Sequence, residues 1–443
     1  MYRNLIVLLA APAILGAQQQ MPQVQQATAD STLRPITMAD AVRLAKENNV
    51  SNITAYNAVR SANNSVRSAR AAMIPTLTAT AGQSISAGQR VNNQTNTLVD
   101  FVPAWAYNSG LSSGFTLFDA GKMFADIRTQ QANVAAQQAT QVNTEYSVAL
   151  NVKLAYNNIL AAKESEGAAR AQLAAADAQL QTSIAKVNAG AANVSDSLRS
   201  IVQVGNAQLA ILTAQNTFRT QSATLTRLVG TPYFVTADLT DTVDHPVATI
   251  DSAMIMQLAL SGPQIRQFEA QAVSAQASER SAKAAYLPTV TANATYSGSG
   301  TKAIYGLNGN PYPYTRGISF NINYPIFNRF QRENNVAAAQ ISYENAEAQI
   351  KDARLGAQQN VITYIATIRN AEETMRVQQT NVRASEEDLR VQQQRYNLGA
   401  STLLDVLNSQ TALVTARQQL ITARLNYRNA RAQIEAVIGR DLP

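Results

Sequence analysis

The sequence predicts a mainly α-helical chain that carries a transmembrane β-barrel part and is built from two copies of one unit. Three observations support this fold class. Two proline-free stretches of about 70 residues, 119–188 and 328–397, are dense in Ala, Gln, Glu, Lys, Arg and Leu, which favour helices. Segments in which polar and apolar residues alternate precede each stretch, as in the strands of a membrane barrel. The same order of motifs then recurs along the chain.

Each long stretch would form a helix of about 100 Å at a rise of about 1.5 Å per residue. Charges such as Glu145, Lys153 and Lys351 exclude a transmembrane helix, so the helix must cross a distance in water beside other helices. Adjacent heptad seams, which start at Val406 and Leu407, indicate that the last helix is flanked on both sides, as in a closed ring of helices. An ordinary two-stranded coiled coil is the alternative.

The duplication is visible as motif pairs at a constant offset. Residues 117–119, 188–191 and 228–230 match residues 209 positions further on. We therefore divide the chain into repeat 1 (36–230), an equatorial connector (231–250) and repeat 2 (251–443). In repeat 1 we expect a helix, strands 76–90 and 105–118, a long helix 120–187, a tip turn 188–193 and a helix 194–229. In repeat 2 we expect a helix, strands 289–305 and 312–327, a long helix 328–396, a tip turn 397–401 and a helix 402–438. The short helices are about half as long as the long one, so two of them must stack end to end beside it.

The strand pattern is cleanest from Arg316 to Phe327, where Ile318, Phe320 and Ile322 alternate with polar residues. An antiparallel sheet with one wet face would look much the same. Four strands are too few for a barrel, because small barrels need about eight, and lipid does not tolerate open sheet edges. Several chains must therefore share one barrel. Three chains would supply twelve strands, although the sequence does not count subunits.

The N-terminus predicts export. Arg3 and the apolar run after it make residues 1–17 a signal peptide, since the run is too short for a membrane anchor. The Gln-rich residues 18–35 are expected to be a disordered leader. The net charge is +7, but the basic residues are scattered, which argues against nucleic acid as a partner. The chain has no cysteine and one histidine, His245 beside Pro246, and we find no motif for catalysis, a cofactor or a metal.

The residues from Arg395 to Gln410, and a weaker counterpart at 187–196, resemble the helix-turn-helix tips of the TolC-like outer membrane factor family. The resemblance covers nearly the whole mature chain. It implies a homotrimeric duct in the outer membrane of a Gram-negative-type bacterium, with a shared twelve-stranded barrel in the lipid and a twelve-helix tunnel in the periplasm. The duct would dock onto a periplasmic adaptor and an inner-membrane transporter, for efflux or type I secretion. An exported coiled-coil spacer of the cell envelope, without channel activity, is the alternative.

The resemblance also implies a pore constriction. Asp405 matches the aspartate whose ring narrows the tunnel entrance and gives it cation preference. Asn408 stands where the best-known relative has a second aspartate, which predicts a weaker acidic constriction. An aspartate just past a tight turn also stabilises the start of a helix through the helix dipole. For Asp405, and for Asp196 at the other tip, this capping role is the competing interpretation.

The resemblance also implies which residues hold the entrance closed and which contact the adaptor. Asp196, Tyr396 and Arg424 match members of the links that hold the entrance closed, and Ser401 replaces an arginine of these links. Conduction would be passive, and opening would follow the breaking of contacts such as Asp196–Tyr396. The expected adaptor contacts are the small and apolar residues at the two tips, namely Gly190, Ala191, Val194, Gly399, Ala400 and Leu403.

Overall fold

The computed structural model describes residues 33–92, 94–238, 251–301, 305 and 313–442, with residues 90 and 101–104 described by their backbone alone. The first half contains β1 (Arg34–Ile36), α1 (Met38–Asn48), α2 (Val50–Ala71), β2 (Thr76–Asn92), β3 (Thr97–Phe118), α3 (Lys122–Asn188), α4 (Val194–Val229) and β4 (Val235–Ala237). The second half contains α5 (Ser252–Ala259), α6 (Pro263–Lys283), β5 (Thr289–Gly300), β6 (Tyr314–Asn323), α7 (Gln331–Asn397) and α8 (Leu403–Ile438). The signal peptide, most of the leader and His245 lie outside the described residues.

The two halves have matching helix lengths. Helices α3 and α7 each have 67 residues, and α4 and α8 each have 36. Each long helix begins after a left-handed residue, Gly121 or Phe330, which turns the chain out of the preceding strand. None of the described helices is apolar enough over a sufficient length to span a bilayer.

The short helices stack end to end beside the long ones. Asn49, just before α2, donates its side-chain amide to the carbonyl of Leu228 in the last turn of α4, at 2.8 Å. The same junction joins α6 to α8, where a Cβ on Gly439 would lie 2.8 Å from Pro263. Because such a contact is closer than real Cβ atoms approach, glycine allows the two helix ends to meet.

Contacts between the helices define a layer with two levels. On the side of the strands the order is α2–α3–α6–α7, and on the side of the turns it is α4–α3–α8–α7. Helices α3 and α7 run through both levels. The level on the side of the turns is called the lower layer, and α4 and α7 form its two edges. Apolar clusters around Tyr156 of α3 and Ile368 of α7 lie near the level where the short helices meet.

The four long strands form one antiparallel sheet in the order β2-β3-β5-β6. Strand β3 pairs with β5 from Tyr107 to Phe118, so the part of the β2–β3 hairpin before Tyr107 extends beyond the sheet as a two-stranded ribbon. Both outer strands, β2 and β6, have one unpaired edge within the chain. The sheet is therefore open.

Several strand bounds differ from those expected. Strand β3 begins at Thr97 rather than at residue 105, because the residues between the two expected strands pair across the ribbon. The side chain of Gln89 also donates to that of Asp100 there, at 3.0 Å. Strand β6 ends at Asn323 rather than at residue 327, since Pro325 cannot donate to the ladder. Strand β5 ends at Gly300 rather than at residue 305.

The helix expected before each hairpin is broken in two. Asn49 adopts an extended conformation and caps α2 by accepting from the amide of Ser51 at 2.9 Å, which separates α1 from α2. In the second half the break falls before Pro263, a residue that disfavours helical geometry in its predecessor. The leader and the connector also contain order that was not expected, because β1 pairs in parallel with β4.

Candidate functional site

The two tip turns share one backbone geometry. Gly190 and Gly399 adopt left-handed conformations with φ of 69° and 78°. In each turn the residue after glycine donates its amide to a carbonyl five residues back, Ala191 to Lys186 and Ala400 to Arg395, both at 2.8 Å. These bonds satisfy carbonyls that a helix end leaves unpaired. Glycine is needed here because other residues pay a steric cost at positive φ.

The helix that leaves the second turn starts with a capping box. The side chain of Asp405 accepts from the amide of Thr402 at 2.9 Å and from its hydroxyl at 2.7 Å, and the amide of Asp405 donates back to that hydroxyl at 3.3 Å. These hydrogen bonds, together with the charge of Arg395, lower the pKa of the exposed Asp405 carboxyl below its usual value. Asp405 thus caps α8, and it remains a charged, solvent-facing group. Asn408 is exposed one turn further along.

Apolar residues of the second tip are buried within the chain. Leu403 is 2% exposed and Tyr396 is 5% exposed, and both pack in a cluster with Val406 and Leu407. The expected adaptor contact through Leu403 is therefore wrong for this conformation, because the residue starts α8 with its side chain turned into the hairpin. Gly399 and Ala400 are exposed at the turn, and the hydroxyl of Ser401 donates back to the carbonyl of Gln392 at 3.4 Å.

The first tip leaves its apolar residues uncovered. Asn193 caps α4 by accepting from the amide of Ser195 at 3.2 Å. The exposed residues of this tip include Gly190, Ala191 and Val194. Further along α4, Leu198, Ile201 and Val202 are also exposed. The tip thus presents an apolar surface that its own chain does not cover.

The expected link between Asp196 and Tyr396 is absent within the chain. The buried hydroxyl of Tyr396 has no hydrogen-bond partner among the described residues. Asp196 lies in the first turn of α4 and Tyr396 in the last turn of α7, on the helices that form opposite edges of the lower layer. Instead, the ammonium of Lys186 donates to the carbonyl of Tyr396 and lies 3.8 Å from the centre of its ring.

Arg424 does not lie at the tip. It is 21 residues past the start of α8 at Leu403, which is about 30 Å along the helix. Its guanidinium forms an ion pair with Glu164 of α3 at 3.5 Å, and Arg428 pairs with the same carboxylate at 3.4 Å. Within the chain, Arg424 thus cross-links α3 and α8 above the tip, and its part in the links that hold the entrance closed stays a prediction. Sequence reasoning missed Lys186 and Glu164 because helical spacing does not reveal contacts between distant helices.

Comparison with known proteins decides the family. The model of the family described as "Outer membrane efflux protein" matches residues 41–231 and 254–440, which are the two halves of the duplication. The chain belongs to this family. The expected resemblance to TolC-like outer membrane factors is confirmed, and so is the outer membrane as the location of the protein.

Relatives with curated names match most of the chain. The pyoverdine export outer membrane protein OpmQ of Pseudomonas aeruginosa is 26% identical over 394 residues, which cover 86% of this chain and 79% of OpmQ. The outer membrane protein TolC of Escherichia coli is 25% identical over 390 residues, covering 84% and 76%.

Solved structures share the fold. A structure of CusC, from work on folding and transmembrane channel formation, has a TM-score of 0.75 at 18% identity and covers 94% of this chain and 96% of its own. The open state of the Neisseria gonorrhoeae MtrE outer membrane channel has a TM-score of 0.71 at 20% identity, covering 91% and 89%. The combination of long helices and a four-stranded sheet in this chain is thus the fold of outer-membrane channels.

Proposed function

We propose that three copies of this chain form an outer-membrane exit duct that passively conducts substrates delivered by an inner-membrane transporter. The observation that carries the proposal is the open, four-stranded sheet with apolar side chains on its surface. Ile318, Phe320 and Ile322 of β6 are 75%, 68% and 75% exposed. An apolar sheet face can contact lipid, but the unpaired backbone groups of an open strand edge cannot. Three sheets joined between β6 of one chain and β2 of the next would close a twelve-stranded barrel.

The helices support the same assembly. On α4, the exposed residues Leu198, Val202, Leu209 and Leu212 follow one another at spacings of three, four or seven. On α7, Val377 and Val391 are exposed at a spacing of fourteen, and the exposed Leu398 follows seven residues later, just past the end of the helix. Since α4 and α7 are the two edges of the lower layer, each stripe would pack on the other stripe of a neighbouring chain. Such head-to-tail contacts close a ring when the rotation fits, and three chains would give twelve helices at either level.

The tip turns would form the gated periplasmic entrance. Three copies of the exposed Asp405 and Asn408 would line the constriction and favour cations. Asp196 of one subunit would reach Tyr396 of its neighbour, because α4 and α7 adjoin only between chains. The hydroxyl of Tyr396 is buried within one chain and has no partner there, so this contact would form only when the side chain turns towards the neighbour. A periplasmic adaptor would bind the exposed turn residues, namely Gly190, Ala191, Val194, Gly399 and Ala400.

Electrophysiology on the purified mature protein tests the proposal. We expect heat-modifiable trimers in the outer-membrane fraction and ion conductance after insertion into planar lipid bilayers. A periplasmic rod that stays in solution and never conducts would instead favour the envelope spacer. Because a passive duct does not choose its cargo, the transporter would set the substrate.

A further inference from the structure

Of the three helix contacts in the lower layer, the seam between α3 and α8 is the one without a connecting turn. Helices α3 and α4 are joined by the turn that contains Gly190, and α7 and α8 by the turn that contains Gly399. No turn joins α3 to α8, since they belong to different halves of the chain. The relative position of the two hairpins therefore depends on side chains that cross this seam.

The upper part of the seam is rich in polar cross-links. The ammonium of Lys153 pairs with Glu435 at 2.6 Å, and Asn157 donates to Asn429 at 3.1 Å. Glu164 of α3 then accepts from Arg424 and Arg428 of α8. From Glu164 to the end of α3 at Asn188, the described residues contain no further hydrogen bond or ion pair between these two helices, over about 36 Å of helix.

One polar contact joins the two hairpins at their tips. Lys186 is in the last turn of α3, and its ammonium donates to the carbonyl of Tyr396, in the last turn of α7. The ammonium also lies over the ring of Tyr396, 3.8 Å from its centre. Carbonyls at the end of a helix carry the negative end of its dipole and attract a cation. The tyrosine ring adds a cation–π interaction. The ammonium of Lys186 thus contacts both the backbone carbonyl and the aromatic ring of Tyr396, at the C-terminal end of α7.

We propose that Lys186 is the latch that holds the second hairpin against the first and keeps the entrance closed. The inference rests on the proposed channel function and adds to it a residue that acts within one subunit. The packed ring of Tyr396 fixes the turn around Gly399, so the latch acts on the turn that carries Asp405. When the second hairpin swings outward, the ammonium exchanges the carbonyl and the ring for water. Binding of a partner at the tips would supply the free energy that this exchange costs.

The test compares three variants of the full-length protein. Lys186→Met keeps a long unbranched side chain and removes the charge and the donor, whereas Lys186→Arg keeps the charge and the stacking. Lys351→Met makes the same substitution at an exposed lysine of α7 and serves as the control. Two properties are measured on each trimer, namely conductance in planar bilayers and the hydrogen-exchange rate of backbone amides in residues 397–401.

For Lys186→Met we expect exchange in the turn to be faster by about tenfold, which corresponds to the loss of about 1.4 kcal/mol. We also expect a several-fold rise in mean conductance. Lys186→Arg and Lys351→Met should behave like the wild type. Unchanged exchange and conductance in Lys186→Met would overturn the latch. A wild-type protein that never conducts would contradict the channel instead, and the exchange rates would still decide whether Lys186 holds the turn.

Discussion

The two tips have the same backbone turn but opposite packing. At the second tip, Tyr396 and Leu403 are buried within the chain, and Thr402 and Asp405 cap the helix reciprocally. At the first tip, Val194 and Leu198 are more than half exposed. Duplication has thus preserved the conformation of the turn while the surroundings of the turn have diverged.

We propose that this difference gives the two hairpins separate roles. The second hairpin has its own apolar cluster, and we propose that it moves as a unit and carries the constriction. The first hairpin remains incomplete until another molecule covers α4, so it is suited to contacts between subunits and with an adaptor. Each prediction below tests one side of this comparison.

The largest effect is expected from charges on the exposed face of α4. The double variant Leu209→Glu/Leu212→Glu places two carboxylates on side chains that are 62% and 61% exposed in the single chain. Burial of unpaired charges against α7 of a neighbour is strongly unfavourable, so we expect trimers to be lost on native gels. Asn206→Glu, at an exposed position beside the stripe, should still assemble. Normal trimers of the double variant would show that this face is not an interface.

A second effect separates the two roles of Asp405. Asp405→Asn removes the charge but keeps an oxygen that can cap α8, whereas Thr402→Val removes the hydroxyl of the capping box and keeps the charge. We expect reversal potentials to show weaker cation preference only in Asp405→Asn. Because the pKa of Asp405 is lowered, the wild-type preference should persist through the pH at which an ordinary aspartate protonates, about 3.9, and should be lost only at lower pH. Equal loss of preference in both variants would favour a purely structural role.

A third effect concerns stability on the side of the first hairpin. The hydrogen bonds of Glu166 with Lys163 and Arg170 lower the pKa of its buried carboxyl from 4.5 to about 2. The folded-state pKa is below the unfolded one, so the contribution to stability is present above pH 4.5 and is lost as the pH falls towards 2. We expect Glu166→Gln to reduce the free energy of unfolding by about 1–3 kcal/mol at pH 7, with most of the difference gone at about pH 2.5. Urea unfolding at both pH values measures this, and a difference that did not depend on pH would contradict the ion-pair account.

The smallest effect tests the similarity of the two turns. Both tip glycines have positive φ and no atom within 4 Å of a built Cβ. Alanine at either position should therefore cost only the backbone strain, about 1 kcal/mol. We expect Gly190→Ala and Gly399→Ala to lower the unfolding midpoint equally. A much larger effect at one turn would mean that its surroundings in the trimer are tight.

Local signals in the sequence predicted a large part of the fold. Gly190 and Gly399 predicted the tip turns, because a glycine with positive φ commonly follows the end of a helix. The constant offset of the motifs revealed the duplication. Alternation from Arg316 to Phe327 predicted β6, although the strand ends earlier, at Asn323. These features depend on a few neighbouring residues, which makes them visible without a structure.

Features that depend on distant partners could not be predicted in this way. The break at Asn49 depends on the carbonyl of Leu228, and the ribbon beyond Tyr107 depends on pairing that outweighs a loop-like composition. At the site, the burial of Leu403 and the contact between Lys186 and Tyr396 join separate helices. The resemblance marked Asp405, which the structure describes as an exposed carboxylate past the turn, but it did not reveal the pairing of Arg424 with Glu164.

The number of chains in the purified particle tests the central claim most directly. Native mass spectrometry of the mature protein, released from detergent micelles, counts the chains without reference to conductance or substrate. An open four-stranded sheet that closes only with its copies predicts three chains per particle and precipitation when the detergent is removed. A single chain that stays in solution without detergent would contradict the account.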